Sequence, residues 1–381
     1  MNFEASRVKA IEKLKNFIEK NLSEYSRLRN FDFGPSKREN VSCLSPYVTH
    51  GVLNEIEIIK KSLAKFPFSK NEKFIQEVLW RTYWKGWLEL RPNVWNDFLA
   101  SLNDIRDEFK NDPNYINAID GKTNIECFNQ WVKELKEINY LHNHTRMWFA
   151  SIWIFTLNLP WQLGAEFFLK YLYDGDAASN TLGWRWVGGI QTQGKHYLAS
   201  EWNIKKFTNN RFQNIKLNEN APPKLSGKTY SIIKNDFVNP EITNKDKTLL
   251  IFENNLSFEK SKFLKYKFNK IILVKHCNDS RQIKLSNNVL KFKNDLIFDQ
   301  LNRLKNLSIN CEVITIDKLS DIKDELYILY PCIGENLDFI LSNLKDFKFL
   351  YRELDQFSWK FCNKGFFNFK NYIPRILSEF I

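Results

Sequence analysis

The length and composition of this chain fit a folded protein of about two domains. It has 381 residues, and 43% of them are apolar, so it can bury a substantial core and is not a disordered chain by composition. Lysine and arginine (56) exceed aspartate and glutamate (44), which gives a net charge of +12. This balance favours a polyanionic partner such as nucleic acid, or an anionic membrane surface. Lysine and asparagine are frequent throughout, so charge alone favours nucleic acid only modestly.

Targeting and cysteine patterns indicate a reduced intracellular protein. The first residues, MNFEASRVKAIEKLKNF, lack the apolar core of a signal peptide, and no stretch approaches the roughly 18 apolar residues of a membrane span. The six cysteines are scattered, with neither metal-ligand spacing nor a disulfide framework. We therefore expect a cytoplasmic protein without a metal site or a membrane partner.

Helical periodicity dominates the first part of the chain, which holds all but one of the twelve tryptophans, up to Trp202. Apolar residues recur at the spacing of one helix face, or fill a helix that ends before a proline. The predicted helices cover residues 3–21, 71–90, 125–138, 142–158 and 161–173.

Beyond a region rich in Pro, Asn and charge (about 214–247), the pattern changes to short β-rich apolar runs. Most of the stretches between these runs can hold helices, which is typical of a parallel α/β domain. The predicted strands are TLLIF (248–252), KIILV (270–274), CEVITI (311–316), LYILY (326–330) and FKFLY (347–351).

Two predicted helices carry charged side chains among aromatic ones. In FIQEVLWRTYW (74–84), Glu77 and Arg81 share a face with Trp80, which is compatible with a surface ion pair or with a polar ligand. In YLHNHTRMWFAS (140–151), Asn143 and Arg146 lie on an otherwise apolar helix. Burying them is costly without partners, and the acids of DGDAASNTLGWRW (174–186) are candidates.

Four segments resemble, in order, the motifs of the photolyase/cryptochrome family. They are SCLSPYVTHGVL (42–53), EVLWRTYW (77–84), LHNHTRMWFAS (141–151) and WQLGAEFFLKYLYDGDAASNTLGWRWVGG (161–189). The resemblance implies an α-helical FAD-binding domain of photolyase type over residues 1–214. A linker (215–247) and a smaller α/β domain (248–381), Rossmann-like with a mainly parallel sheet, complete the predicted architecture. Because family members usually begin with their α/β domain, we interpret this order as a circular permutation or an independently joined domain.

The resemblance implies FAD as cofactor and a set of residues that bind it. Hydroxyls match phosphate-binding positions, Arg146 and Asp174 match a buried ion pair along the flavin ring, and Asn180 matches the residue beside flavin N5. The complete set is Ser42, Leu44, Ser45, Phe74, Arg81, Arg146, Asp174, Asp176 and Asn180. A second, antenna chromophore is left open, because residues 248–381 show no recognisable signature for one.

The resemblance also implies a cavity for a cyclobutane pyrimidine dimer flipped out of DNA. Aromatic residues would stack on the pyrimidines, and Glu77 and Asn143 would take part in the chemistry. The substrate-side residues are Glu77, Trp80, Asn143, His144, Met147 and Trp186. His144 replaces an arginine expected to touch DNA, and Ala199 or Ser200 replaces another, which weakens the DNA argument more than the FAD argument.

Trp184 and Trp161 match the first two members of a tryptophan chain that reduces the flavin in light. The third member should fall near residues 105–115, where no tryptophan stands, and Tyr115, Trp148 and Trp153 remain open as substitutes. The leading hypothesis is a monomeric, light-dependent DNA repair enzyme, a deoxyribodipyrimidine photolyase (a carbon–carbon lyase), with dimer-containing DNA as partner. The alternative is a cryptochrome-like blue-light photoreceptor that signals through a protein partner.

Overall fold

A computed structural model describes residues 3–224, 228–242, 247–322 and 325–381. The first part of the chain is helical. Its helices, named in chain order, are α1 (Arg7–Lys20), α2 (Tyr25–Leu28), α3 (Ser45–Thr49), α4 (Glu55–Leu63), α5 (Phe68–Glu89), α6 (Asn93–Phe109), α7 (Pro113–Asp120), α8 (Glu126–Ile138), α9 (Asn143–Ser151), α10 (Trp161–Tyr171), α11 (Ala177–Val187) and α12 (Glu201–Phe207).

The later part of the chain combines strands with helices. The strands are β1 (Thr248–Phe252), β2 (Lys270–Lys275), β3 (Cys311–Thr315), β4 (Leu326–Leu329) and β5 (Phe347–Leu350). The remaining helices are α13 (Asn287–Lys305), α14 (Glu335–Asn343), α15 (Glu353–Ser358), α16 (Phe366–Lys370) and α17 (Ile373–Phe380). The predicted fold class, a helical part followed by a smaller α/β part, is confirmed.

All five predicted strands form, and they build one parallel sheet in the order β3-β2-β1-β4-β5. The central strand β1 is buried along its whole length, as expected for a strand covered on both faces. Helices α13 and α14 connect β2 to β3 and β4 to β5, whereas the other two connections contain 3-10 turns. The expectation of helices between most strands therefore holds for two connections of four.

The predicted helix 142–158 changes its geometry near its end. Helix α9 gives way to a π-helical turn over Ile152–Thr156, closed by a hydrogen bond from Leu157 N to Ile152 O. Asn158 then adopts a positive φ of 54°, and Pro160 precedes α10. Wider turns of this kind are local insertions in α-helices, and here one sits where the helix must stop.

The chain packs into two compact units, each built from separate segments. Among the described residues, unit 1 is drawn from 21–43 and 93–231, and unit 2 is drawn from 3–20, 44–92 and 232–381. The division into residues 1–214, 215–247 and 248–381 remains a prediction about successive domains along the chain. Residues 225–227 and 243–246 of the predicted linker lie outside the described residues, and its described part contains neither helix nor strand.

Close packing in unit 1 centres on α10 and α11. A Cβ on Gly164 of α10 would lie 2.5 Å from Cζ3 of Trp184, so only glycine lets the indole lie this close to the helix. Trp184 is 2% exposed and also contacts the ring of Phe168, with centroids 5.1 Å apart. The indole of Trp184 is thus fixed between two helices.

In unit 2, helix α5 packs tightly against the end of the chain. A Cβ on Gly86 would lie 2.6 Å from Cys362 Sγ and would also meet the Trp359 ring. Trp359 and Cys362 are both fully buried.

Among the described residues, no helix is both long enough and apolar enough to cross a membrane.

Candidate functional site

The stretch 174–186 lies at the start and along the length of α11 in unit 1. Asp176 is the N-cap residue, and its carboxylate accepts hydrogen bonds from the backbone N–H groups of Ala178 (2.9 Å) and Ser179 (3.0 Å) and from the Ser179 hydroxyl. This cap satisfies donors that a helix leaves unpaired in its first turn. It fixes where α11 begins and therefore which of its side chains point inward.

An ion pair joins α9 to the segment before α11. Arg146 Nη2 donates to Asp174 Oδ2 at 2.8 Å, and Arg146 Nε donates to the Leu141 carbonyl at 2.9 Å. The Asp174 side chain is only 3% exposed. Burial alone would lower the pKa of Arg146, but the charge of Asp174 raises it above its ordinary value. The guanidinium therefore stays charged in a largely desolvated place.

Tyr140 is a neighbour of this pair that the motif comparison did not single out. The guanidinium carbons of Arg146 and Arg38 lie 5.2 Å and 5.5 Å from the centre of the Tyr140 ring, a cation–π arrangement with both. Burial raises the pKa of Tyr140 well above its usual value, so its phenol is protonated. The signal that the sequence offers is the position of Tyr140 directly before the motif LHNHTRMWFAS.

Helix α11 presents buried polar atoms that suit a ligand. Asn180 is 8% exposed, and its amide donates to the Ala165 carbonyl at 2.8 Å. Within the described part of the chain, the Thr181 hydroxyl and the Trp184 indole Nε1 are buried without a hydrogen-bond partner. Buried polar atoms are nearly always paired, so two such atoms on one helix fit a polar ring-bearing cofactor.

The first turn of α9 places the predicted substrate-side residues of unit 1. Asn143 is exposed at the first position, and Met147 is half-buried one turn later. His142 Nδ1 caps the helix by accepting from His144 N at 3.2 Å. Burial lowers the pKa of His142 to about 3, which keeps that nitrogen free to accept.

His144 is held inside unit 1 at both ring nitrogens. Nδ1 lies 2.9 Å from the Asn30 carbonyl, and Nε2 lies 3.3 Å from the Tyr197 hydroxyl. Its ring also stacks on Trp148 with centroids 4.2 Å apart, and burial lowers its pKa below the usual value. A neutral histidine with both nitrogens engaged is a poor substitute for an arginine that binds phosphate.

The other predicted aromatic residues of unit 1 lie at different depths. Trp186 is half-buried and stacks on Tyr197, with centroids 6.0 Å apart and planes 23° apart. Trp161, at the start of α10, is half-buried and stacks on Phe98 at 5.5 Å. Ser42 is also half-buried in this unit.

In unit 2, the predicted cofactor residues lie on α5 and around α3. Arg81 Nη1 donates to the Thr49 hydroxyl at 2.9 Å, and Nη2 donates to the Thr49 carbonyl at 3.3 Å. These bonds join the middle of α5 to the end of α3, which begins at Ser45. Leu44 and Phe74 are buried in the core, 3% exposed each, and Glu77 is half-buried.

The Trp80 ring, predicted to stack on substrate, contacts the C-terminal part of unit 2. Phe366 of α16 lies 3.5 Å from it between ring centroids, with planes 35° apart. Two further contacts hold the same segment to α5: Tyr83 donates to the Lys364 carbonyl at 3.0 Å, and Lys370 pairs with Glu72 at 3.2 Å. No sequence motif predicted this contact, because Phe366 lies far outside the matched segments.

A second possible ligand site is the carboxyl edge of the parallel sheet, at the switch point between β1 and β4. Here the Asn255 amide donates to the Tyr330 carbonyl at 3.1 Å, and His50 Nδ1 lies 2.9 Å from the Glu253 carbonyl. A Cβ on Gly51 would lie 2.8 Å from the Asn254 carbonyl oxygen. Protein groups of unit 2 thus fill the place where such sheets bind nucleotides.

Glu89, at the end of α5, covers the same edge. It accepts hydrogen bonds from the Tyr330 hydroxyl at 2.7 Å and from Ile333 N at 2.8 Å. Burial raises the pKa of Glu89 to about 7, although both hydrogen bonds act in the opposite direction. The antenna role of residues 248–381 remains a prediction.

Comparisons with known proteins agree with the motifs. A model of the FAD binding domain of DNA photolyase matches residues 74–219. The chain is 28% identical over 269 residues to the deoxyribodipyrimidine photo-lyase of Buchnera aphidicola subsp. Baizongia pistaciae, covering 64% of this chain and 54% of that protein. It is 31% identical over 153 residues to the Streptomyces griseus enzyme of the same name, covering 40% and 32%. A class III photolyase structure from Agrobacterium tumefaciens aligns at 25% identity with a TM-score of 0.43, over 54% of this chain and 43% of that one.

The chain spans about half, or less, of the length of the curated relatives that it matches. The matched residues include α9, α10 and α11 with the Arg146–Asp174 pair, and also most of α5. The buried polar atoms of α11 fit the cofactor that this domain type binds. The motifs of the sequence thus agree with the similarity of residues 74–219 to the FAD binding domain of DNA photolyase.

Proposed function

We propose that this protein is a light-driven DNA repair enzyme that splits cyclobutane pyrimidine dimers. The observation that carries the proposal is the α11 side of unit 1. A buried Arg146–Asp174 ion pair, the buried Asn180 and a fixed Trp184 all lie within the matched segment. When bound and reduced, FAD supplies on excitation the electron that opens the cyclobutane ring, and it takes the electron back afterwards.

The residues of this chain bind and orient the cofactor and the lesion. The Arg146–Asp174 pair would hold the flavin ring, and the guanidinium, fixed by Asp174, would offer N–H dipoles that stabilise negative charge there without reorganising. Asn180, whose amide also donates to the Ala165 carbonyl, would contact the flavin edge, and Asp176 fixes where α11 begins. The remaining cofactor contacts come from Ser42, Leu44, Ser45, Phe74 and Arg81.

On the substrate side, aromatic, apolar and polar side chains bind the flipped lesion. Trp80 and Trp186 stack on its pyrimidines, while Met147 packs against it. Glu77 and Asn143 contact the base edges, and the bond donated by the Asn143 amide strengthens as negative charge develops on the dimer. A damaged pair is already unstacked, so extrusion of the lesion costs less than for intact DNA.

The direct test uses the whole protein loaded with FAD and chemically reduced, mixed with a dimer-containing oligonucleotide under blue light. We expect loss of dimers in light and none in the dark. Glu77→Gln should lower the repaired fraction per absorbed photon, whereas Glu72→Gln, on the exposed side of the same helix, should leave it unchanged. Intact dimers after prolonged illumination of fully loaded protein would refute the proposal.

One observation favours a second candidate, a cryptochrome-like photoreceptor. The Phe366 ring covers Trp80, and His144 has both ring nitrogens engaged within unit 1, so two predicted DNA-side residues already have protein partners. A photoreceptor needs the flavin but not the lesion cavity. Light-dependent flavin chemistry without dimer loss in the same assay would support this candidate.

A further inference from the structure

The connection between β1 and β2 in unit 2 differs from the usual crossover between parallel strands. Such strands are normally joined through an α-helix, but residues 253–269 contain two 3-10 turns, Phe258–Lys260 and Lys262–Lys265. The buried rings of Phe258 and Phe263 anchor these turns in the core. The lysines between and after the two rings are exposed to solvent, and they are Lys260, Lys262, Lys265 and Lys267.

The two acidic residues of this connection do not neutralise its lysines. Glu253 accepts hydrogen bonds from Arg281 Nη2 and Lys293 Nζ, both at 2.7 Å. Glu259 forms an ion pair with Arg303 of α13. The side chains of Glu253 and Glu259 are only 4% and 11% exposed, so both carboxylates face the interior of unit 2. The solvent-facing side of the connection therefore carries positive charge from its lysines.

Three of these lysines also lack an acidic partner from elsewhere in the described part of the chain. Lys262 pairs with Glu353 at 3.1 Å, but no described carboxylate lies within ion-pair distance of Lys260, Lys265 or Lys267. Other surface lysines of unit 2 do have an acid one turn away, in the pairs Lys9–Glu12, Lys15–Glu19 and Lys291–Asp295. The unneutralised charge is therefore not shared by every lysine-bearing surface of this unit.

An aromatic ring stands among the same lysines. Tyr266 is half-buried, and Lys265 Nζ lies 5.0 Å from the centre of its ring. A partly exposed ring beside cationic side chains combines a stacking surface for a base with charges for phosphates. Within residues 257–268, the exposed large apolar side chain is Leu264, at 37%. This apolar area is too small for insertion into a lipid surface, so the chemistry favours nucleic acid.

We propose that the β1–β2 connection binds single-stranded nucleic acid whether or not the strand carries a lesion. The ammonium groups of Lys260, Lys265 and Lys267 bind phosphates, and Tyr266 stacks on an unpaired base. Like charges this close in sequence repel one another, and a polyanion removes that repulsion. The connection lies outside residues 74–219, which resemble the FAD binding domain. This contact is therefore independent of the proposed repair chemistry.

The test measures binding of the whole protein to a labelled, undamaged oligothymidylate in the dark, by fluorescence anisotropy over a series of salt concentrations. Each phosphate contact on a single strand contributes about 0.7 to the slope of log affinity against log salt. The triple variant Lys260→Gln, Lys265→Gln, Lys267→Gln should therefore reduce the slope by about 2 and weaken binding at low salt by roughly tenfold or more. Tyr266→Leu should weaken binding roughly fivefold and leave the slope unchanged.

The matched control is the triple variant Lys9→Gln, Lys15→Gln, Lys291→Gln, which removes the same charge from paired lysines of the same unit. It should keep the slope of the unchanged protein. An equal fall in slope in both triple variants would assign the binding to net charge and overturn the proposal. A slope that survives the substitutions in the β1–β2 connection would overturn it as well.

Two further measurements separate this contact from a lipid surface and from repair. Sedimentation with anionic phospholipid vesicles that is lost in the β1–β2 variant, with oligothymidylate affinity unchanged, would overturn the proposal in favour of lipid. Dimer repair by the reduced variant at saturating DNA should persist, because the lysines lie outside the proposed lesion cavity. Intact dimers in the unchanged protein, with oligothymidylate binding as expected, would contradict only the repair function.

Discussion

The two helices that carry most of the predicted site differ in what surrounds them. Around α11 in unit 1, the side chains singled out by their motif pair with one another: Asp174 binds Arg146, and two polar atoms remain available for a ligand. Around α5 in unit 2, the Trp80 ring meets Phe366, a residue outside the matched segment. A motif thus indicates the backbone position of a residue, but its contacts also depend on parts of the chain that the motif does not include.

The largest effect on stability and FAD binding should come from breaking the Arg146–Asp174 ion pair. Arg146→Met keeps the volume but leaves the Asp174 charge buried without its cation, which should cost about 3 kcal/mol of unfolding free energy and most of the bound FAD. Urea unfolding and flavin absorbance of the purified protein measure both. Adding Asp174→Asn removes the stranded charge and should restore part of the stability. Equal losses in the single and double variants would show that the stranded Asp174 charge is not the cause of the loss.

An effect of similar size on the unfolding free energy should appear at Glu89, at the end of α5, as a dependence on pH. Burial raises the pKa of Glu89 from 4.5 to about 7, so between these values the folded protein keeps a proton that the unfolded chain releases. Stability should therefore fall as pH rises through this window, by on the order of 3 kcal/mol from this group. Glu89→Gln should flatten that part of the profile. Parallel profiles for the two proteins would contradict the shifted pKa.

Matched glycine substitutions compare the packing of the two helices directly. Gly86→Ala on α5 forces a Cβ against Trp359 and Cys362 and should cost about 2 kcal/mol. Gly183→Ala on α11 meets no atom within 4 Å and should instead add about 0.5–1 kcal/mol through helix propensity. Both are measured by thermal unfolding after removal of FAD. Similar changes at the two positions would contradict the difference in packing.

The smallest effect concerns the Phe366 ring that packs on Trp80. If the ring binds the lesion, Phe366→Ala frees a stacking surface worth about 1 kcal/mol, or roughly fivefold in affinity for dimer-containing DNA. Phe367→Ala is the matched control, because the neighbouring ring is 82% exposed. Fluorescence anisotropy well below the unfolding temperature measures the affinity, and acrylamide quenching reports exposure of Trp80. Increased quenching without tighter binding would mean that Trp80 is a core residue.

Prediction from sequence was most successful where the relevant pattern is local. The five strands form within a residue or so of their predicted bounds, because short β-branched runs between polar turns specify buried parallel strands. Helices such as α5 and α8 follow from apolar periodicity in the same way. The π-helical turn at Ile152–Thr156 was not predicted, since it depends on how the preceding helix is stopped rather than on periodicity.

The sequence by itself determined the similarity to an FAD binding domain, the helical character of the first part of the chain and the parallel sheet. These properties are encoded in local periodicity and in motifs whose side chains keep their order. Only the tertiary structure decided the neighbours of Tyr140, the hydrogen bonds of His144, the contacts of Glu89 at the carboxyl edge of the sheet and the packing of Phe366 on Trp80. These contacts join residues far apart in the chain, and such contacts form only when the surfaces of separate elements pack together.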